Sequence, residues 1–541
     1  MNPYAIPAVV AVTVATVAIG AYGLRISRTT SDFLVASREV SAGWNAAAIS
    51  GEYLSAASFL GVAGLVLIHG VDMLWYPVGF AAGYLALLLF VAAPLRRSGA
   101  FTLPDFCQLR LGSGRLRKLA TLFVIVIGWL YLVPQMRGAG LTLETSAGAP
   151  YYVGVVTVGV VVTMNVVFGG MRAITFVQAF QYWLKLTALL VPILFLLLHW
   201  QGDHRPPLAG ATFAHQTTVT FDQPVRLVVD GTTQDVPAHT TRTFPAGAPI
   251  PQVQGADGAS GLDWLLPSPV RHGNEGLLAT YSLILATFLG TMGLPHVLVR
   301  FYTNRTGAGA RRTTLVVLGL VGLFYLLPTL YGVLGRVYTP QLVLTGSADA
   351  VVLLLPSAAL GGVTGQLLGA LVAAGAFAAF LSSSSGLLTS VAGVLSTDVI
   401  GRGSVRDFRI ATVVAGVVPM LLAGQAGNLD VSQVVGLAFA VAASTFCPLL
   451  VLGLWWRGLT PVGAFAGLVV GGGAAVTAVV ATMVGASFGG WLDILVHQPA
   501  AWTVPLAFLV MVVGSLVSRR YVPEGVGTTM LRMHAPDALG L

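Results

Sequence analysis

Apolar stretches of about 20 residues recur from one end of this chain to the other, and no other feature restricts its fold as much. A segment of that length with few charges forms a helix that crosses a bilayer. Inside hydrocarbon, every backbone N–H and C=O must be satisfied within its own segment. Candidate helices lie near residues 4–24, 43–69, 73–95, 116–144, 151–169, 174–200, 275–299, 312–338, 361–398, 406–425, 431–456, 460–486 and 500–519. Thirteen crossings are therefore predicted. Only 9% of the residues are charged and 56% are hydrophobic, whereas soluble proteins carry roughly 25% charged residues. The 65 glycines suit helices that approach one another closely in lipid. The expected class is an all-α polytopic membrane protein.

The formal net charge of +8 raises the question of nucleic acid, and its distribution answers it. Lys and Arg concentrate after the odd-numbered predicted helices. Examples are "RRSGAFTLPDFCQLRLGSGRLRK" at 96–118 and "RFYTNRTGAGARR" at 300–312. That alternation marks cytoplasmic loops. It places the N-terminus outside and the C-terminus in the cytoplasm of a cell whose plasma membrane holds the chain. The opening "MNPYAIPAVVAV" has no basic start, so the first stretch is expected to remain as a span. Cys107 falls in a cytoplasmic loop and Cys447 in a helix, so no disulfide is expected between them, and CxxC spacing is absent.

Residues 201–273 differ from the rest. They are polar and rich in Thr, Pro and Gly. "TVTFDQPVRLVVDGTTQDVP" alternates apolar and polar residues around Asp230-Gly231, which predicts a β-hairpin in an extracellular loop. Two helices are interrupted by Gly and small polar residues: the second, at "ISGEYLSAASFLGVAG" (49–64), and the seventh, at "FLGTMGLPHVLVRF" (288–301). Broken helices in corresponding positions of two halves point to an inverted-repeat transporter. The expected organisation is a peripheral first helix and loop (1–42), a first repeat (43–200), the outer loop (201–273), a second repeat (274–456) and peripheral helices with a tail (457–541).

A break near Gly51 to Ser55 exposes carbonyl oxygens, and hard cations take oxygen ligands. The run "FLSSSSGLLTS" at 380–390 supplies hydroxyls. Ser382 and Ser383 point about 100° apart on a helix, so both reach one ion only if it lies between them. Alternatively, each serine bonds back to the carbonyl four residues earlier.

The chain resembles the sodium:solute symporter family, and within it the acetate and monocarboxylate permeases. The resemblance is carried by "GEYLSAASFLGVAGLV" (51–66), "LYLVPQMRGAG" (130–140), "FGGMRAITFVQ" (168–178), "GTMGLPHVLVRFYT" (290–303), "FLSSSSGLLTSVAGVLSTDV" (380–399) and "GLAFAVAAS" (436–444). It implies a LeuT-type fold of two inverted five-helix repeats and co-transported sodium. It places the sodium ligands at Gly51, Leu54 and Ala379 through their carbonyls and at Ser382 and Ser383 through their hydroxyls. Many members carry an acidic residue where this chain has Thr175, shortly before Gln178.

Other residues suggest coupling and substrate roles. Glu52 adjoins the break and either couples or forms an ion pair with Lys185 or Arg137. His296 follows Pro295 in the second broken helix and either packs or carries a proton. Arg137 can bind a carboxylate with two parallel hydrogen bonds, with Gln135, Ser55 and Ser58 alongside.

The function expected is sodium-coupled import of a small monocarboxylate such as acetate, propionate or pyruvate. The alternatives are proton coupling on the same fold and a different small solute. No protein partner is implied. The stretch after the last predicted helix is too short for the signalling domain of a transporter-like sensor. GxxxxGK[ST] is absent, so ATP is not the energy source, and no enzyme chemistry is indicated.

Overall fold

A helix rises 1.5 Å per residue, so about 20 residues cross a hydrocarbon core of about 30 Å. The computed structural model describes residues 2–24, 41–208, 212–221, 224–229, 232–253, 261–401, 404–424 and 431–537. Among these, eleven helical runs are long and apolar enough to span. They include Gly114–Ala147, Gly307–Tyr338, Gly362–Val399 and Val431–Trp455. The second and third expected helices meet this criterion as one continuous run, Ala57–Arg97. The helix Val405–Ala423 carries Arg406, Asp407 and Arg409 in its opening turns, where Ser404 and Asp407 form a reciprocal capping box.

Burial separates centre from periphery. The runs Gly362–Val399 and Val431–Trp455 are each 89% buried, whereas the first helix, Ala5–Leu24, is mostly lipid-facing. The helix Gly362–Val394, called here the serine helix, packs on Tyr151–Gly202 and on Gly114–Ala147. Glycines permit this closeness. A Cβ on Gly375 would meet the Ala188 methyl, and one on Gly154 the Ala139 carbonyl.

Both interrupted helices are present. The first lead helix runs Ala42–Tyr53, breaks at Leu54–Ser55 and resumes, ending as Val62–His69. Its C-terminal end is held by Arg336, whose Nη1 donates to the Leu67 carbonyl at 3.1 Å, and by Trp264, whose indole N–H donates to the Val66 carbonyl at 2.8 Å. The second lead helix runs Ser268–Gly293 with a kink at Gly273 (φ 56°, ψ −129°), passes through an extended Leu294 (φ −71°, ψ 116°) and resumes as Pro295–Val299. Proline lacks the N–H that would continue the first segment and is suited to start the next.

The polar loop carries short strands. Strands β1 (Thr217–Phe221) and β4 (Thr240–Phe244) pair antiparallel, and β2 (Val225–Val229) pairs with β3 (Thr232–Val236) and β5 (Gln252–Val253). Val229 lies opposite Thr232. The expected turn Asp230-Gly231 and the expected first loop, residues 25–40, lie outside the described residues.

Three sequence expectations need correction. The stretch 96–118 is not a plain loop: Leu103–Leu111 is a helix capped by Thr102, and it buries Cys107. A further helix, Val351–Leu360, lies between the eighth and ninth expected spans. Arg300, counted among loop cations, is 1% exposed.

Candidate functional site

A helix leaves its last four carbonyls without intrahelical donors, and its C-terminal end carries about half a negative elementary charge. At Leu54 the lead helix ends with φ −74° and ψ 88°, so this happens deep inside the protein. Three of the stranded carbonyls find side-chain donors. Gly51 O accepts from Ser382 Oγ at 2.7 Å and from Lys185 Nζ at 2.5 Å. Glu52 O accepts from Ser383 Oγ at 2.6 Å. Leu54 O accepts from Lys185 Nζ at 2.6 Å. Lys185 Nζ also donates to Ser382 Oγ at 2.9 Å. Ser382 Oγ lies 3.0 Å from the Ala379 carbonyl.

The structure thus brings four of the five expected sodium ligands together: Gly51, Leu54, Ala379 and Ser382. The fifth, Ser383, spends its hydroxyl on Glu52 O, one carbonyl along. Adjacent helical side chains point in different directions, so the two serines address successive carbonyls. Ser385 bonds back to Leu381 O at 2.7 Å, and Ser384 Oγ has no hydrogen-bond partner. Both ways of satisfying a membrane serine therefore occur within one run of four.

A buried ion pair stands beside this cradle. Arg300 Nε donates to Glu52 Oε2 at 2.6 Å. Arg300 Nη1 donates to Thr175 Oγ1 at 2.9 Å, and Nη2 donates to Gln178 Oε1. Gln178 Nε2 then donates to the Ser382 carbonyl at 2.8 Å, which joins the pair to the cradle. The expected partners of Glu52, Lys185 and Arg137, are replaced by Arg300. Gly386 makes this possible, since a Cβ there would overlap the Glu52 carboxylate. Thr175 serves as a neutral acceptor for the same guanidinium. Arg300 escaped notice because it sits in a basic stretch. Its distance from Pro295, about one and a half helical turns, was the available signal.

The two helix breaks converge on Tyr131. Ser55, at the first break, lies near the Tyr131 hydroxyl, and its own hydroxyl has no hydrogen-bond partner. The His296 ring, just past the second break, packs edge-on to Tyr131 at 5.3 Å, and neither ring nitrogen has a hydrogen-bond partner. Phe439 closes the same cluster, 5.7 Å from the Tyr131 ring and 6.3 Å from that of Tyr53. Gln135, one turn after Tyr131, accepts from the Ala56 N–H at 2.9 Å and so stabilises the first break.

Two suggested substrate residues are engaged elsewhere. Ser58 Oγ is 2.8 Å from the Tyr325 hydroxyl. Arg137 is only half-buried and bonds the Tyr151 hydroxyl. It lies two residues after Gln135, about 200° around the helix, so the two cannot face one cluster.

Paired broken helices that present carbonyls and polar side chains inside a membrane body define a secondary transporter. The chain belongs to the sodium:solute symporter family, whose profile matches residues 33–471. It is a multi-pass membrane symporter that co-transports sodium with a small solute, and not an enzyme. Over 96% of this chain and 95% of the relative, it is 31% identical to a protein of Bacillus subtilis (strain 168) called an uncharacterized symporter, YwcA. Its fold matches the substrate-bound, outward-open structure of a Na+-coupled sialic acid symporter with a TM-score of 0.64. That match has 14% identity and covers 94% of this chain and 98% of the other.

Proposed function

We propose that this protein imports a small monocarboxylate, of the acetate, propionate or pyruvate kind, together with sodium. In this reading thirteen crossings form two inverted five-helix halves with three peripheral helices. The N-terminus is outside and the C-terminus is cytoplasmic, and the two halves alternate access to a site between the broken helices.

The observation that carries the substrate class is the meeting of both breaks at Tyr131. A carboxylate needs several donors and no acceptors. The Tyr131 and Ser55 hydroxyls and a His296 N–H offer donors within one aromatic cluster. The buried charges favour an anion as well: Glu52 is matched by Arg300, and Lys185 adds a further positive charge nearby. Charge-assisted hydrogen bonds to a carboxylate are roughly twice as strong as neutral ones. The small residues and rings around the cluster suit a short acid.

The test is uptake by purified protein in liposomes with labelled acetate, propionate, pyruvate, a sugar and an amino acid. Uptake of the short acids driven by an inward sodium gradient, and lost when external sodium is replaced by choline, is expected. Uptake confined to the sugar or the amino acid overturns the substrate class, and uptake indifferent to sodium overturns the coupling.

A further inference from the structure

The ammonium of Lys185 stands on the atoms that the symporter fold offers to sodium. We propose that Lys185 is an internal cation that competes for this site, so that sodium lands only after the lysine has left it. The inference rests on membership of the sodium-coupled family and not on the identity of the solute.

The geometry is that of an occupied cation site. Lys185 Nζ lies 2.5 Å from Gly51 O, 2.6 Å from Leu54 O and 2.9 Å from Ser382 Oγ. These are three acceptors for the three hydrogens of an ammonium. Two are carbonyls, which cannot donate in return. The side chain is fully buried and points at the negative end of the lead helix, where a cation is favoured. The nearest anion, the Glu52 carboxylate, is already paired with Arg300 at 2.6 Å. The cradle is therefore the main counter-dipole for the lysine charge. A sodium ion bound to the same oxygens and an ammonium at these distances exclude one another sterically and by charge. Lys185 sits on the same helix as Thr175 and Gln178, so its position also reports on the Arg300 network through Gln178 and the Ser382 carbonyl.

A ligand that binds only a vacated state is weakened by the fraction of molecules in that state. The experiment measures sodium binding by thermal stability of purified wild type, Lys185→Ala and Lys185→Met, titrated with NaCl against choline chloride at constant ionic strength. Removing the amine is expected to strengthen sodium binding by about tenfold or more, and adding Ser382→Ala to Lys185→Ala is expected to reverse the gain. Sodium affinity equal to or weaker than wild type in both Lys185 variants overturns the proposal. If neither variant folds in either salt, wild type decides: sodium stabilisation that stays far from saturation at physiological concentrations supports an internal competitor, and saturation well below them overturns it. No solute is present in this assay, so failure to transport short acids leaves its outcome untouched.

Discussion

Arg300 shows how a single side chain can matter more than its sequence context suggests. Taking one partner from a buried ion pair costs about 3–5 kcal/mol, because the other charge is left without compensation. Glu52→Gln or Arg300→Met alone should therefore lower the melting temperature in detergent by many degrees, and the double variant should recover part of the loss. Equal destabilisation by the double and the sum of the singles would show that the pair is not coupled. The serines give a finer contrast. Ser383→Ala removes one hydrogen bond to Glu52 O, worth about 0.5–1.5 kcal/mol, and should leave the sodium dependence of uptake unchanged. Ser382→Ala removes an oxygen from the cradle itself and should raise the sodium concentration needed for half-maximal uptake. Sequence alone led to the serine run and to a break near Gly51 to Ser55, because hydroxyls and glycines are conspicuous in an apolar chain. It did not lead to Lys185 in the cradle. A lysine's reach depends on the rotation of its helix against another, and no local spacing encodes that.

At the scale of elements, one end of the helix bundle is held by a short tail helix. Val526–His534 buries Met530 and Met533 and packs against Ala92–Arg97 and Val431–Trp455. Beyond it, the Asp537 carboxylate accepts from Arg97 Nε at 3.0 Å and from the N–H groups of Gly307 and Ala308 at 3.2 and 3.0 Å. It thereby links the loop after one span to the N-terminus of the helix Gly307–Tyr338. The Arg97 hydrogen bond, with help from the two N–H groups, holds Asp537 down to about 2. A depressed carboxylate stabilises the fold above its ordinary value, near 3.9, and that stabilisation is lost as pH falls through about 2. The link should therefore be constant from pH 5 to 8. Asp537→Asn should speed hydrogen exchange across residues 526–537 equally at both ends of that range, whereas a pH-dependent difference would contradict the assignment. Burial pushes the Cys107 thiol up to about 12, so maleimide should label it at pH 7 only after unfolding.

For the molecule as a whole, the class and the two broken helices were legible because hydropathy and Gly/Pro punctuation report directly on the bilayer, whereas thirteen expected crossings stand against eleven spanning runs among the described residues. What stayed illegible was relational: which side chain crosses to which helix. Arg137 and Gln135 were grouped by sequence proximity, although the helical period already separated them. One sodium moving with one monocarboxylate carries no net charge, so a membrane potential should not accelerate uptake at that stoichiometry. Acceleration by an inward-negative potential, worth roughly 2.3 kcal/mol per charge per 100 mV, would reveal additional cations. The strand-built loop has a consequence of its own. Phe213, Val219, Phe221, Leu227 and Val236 close a small apolar centre to which the membrane body contributes Leu344. His215, which stacks on Tyr338 at 5.7 Å, adds a second point of attachment. A unit so nearly self-sufficient is a natural handle: antibodies raised against it, or a rigid tag spliced between its strands, would give an imaging landmark without touching the transport machinery.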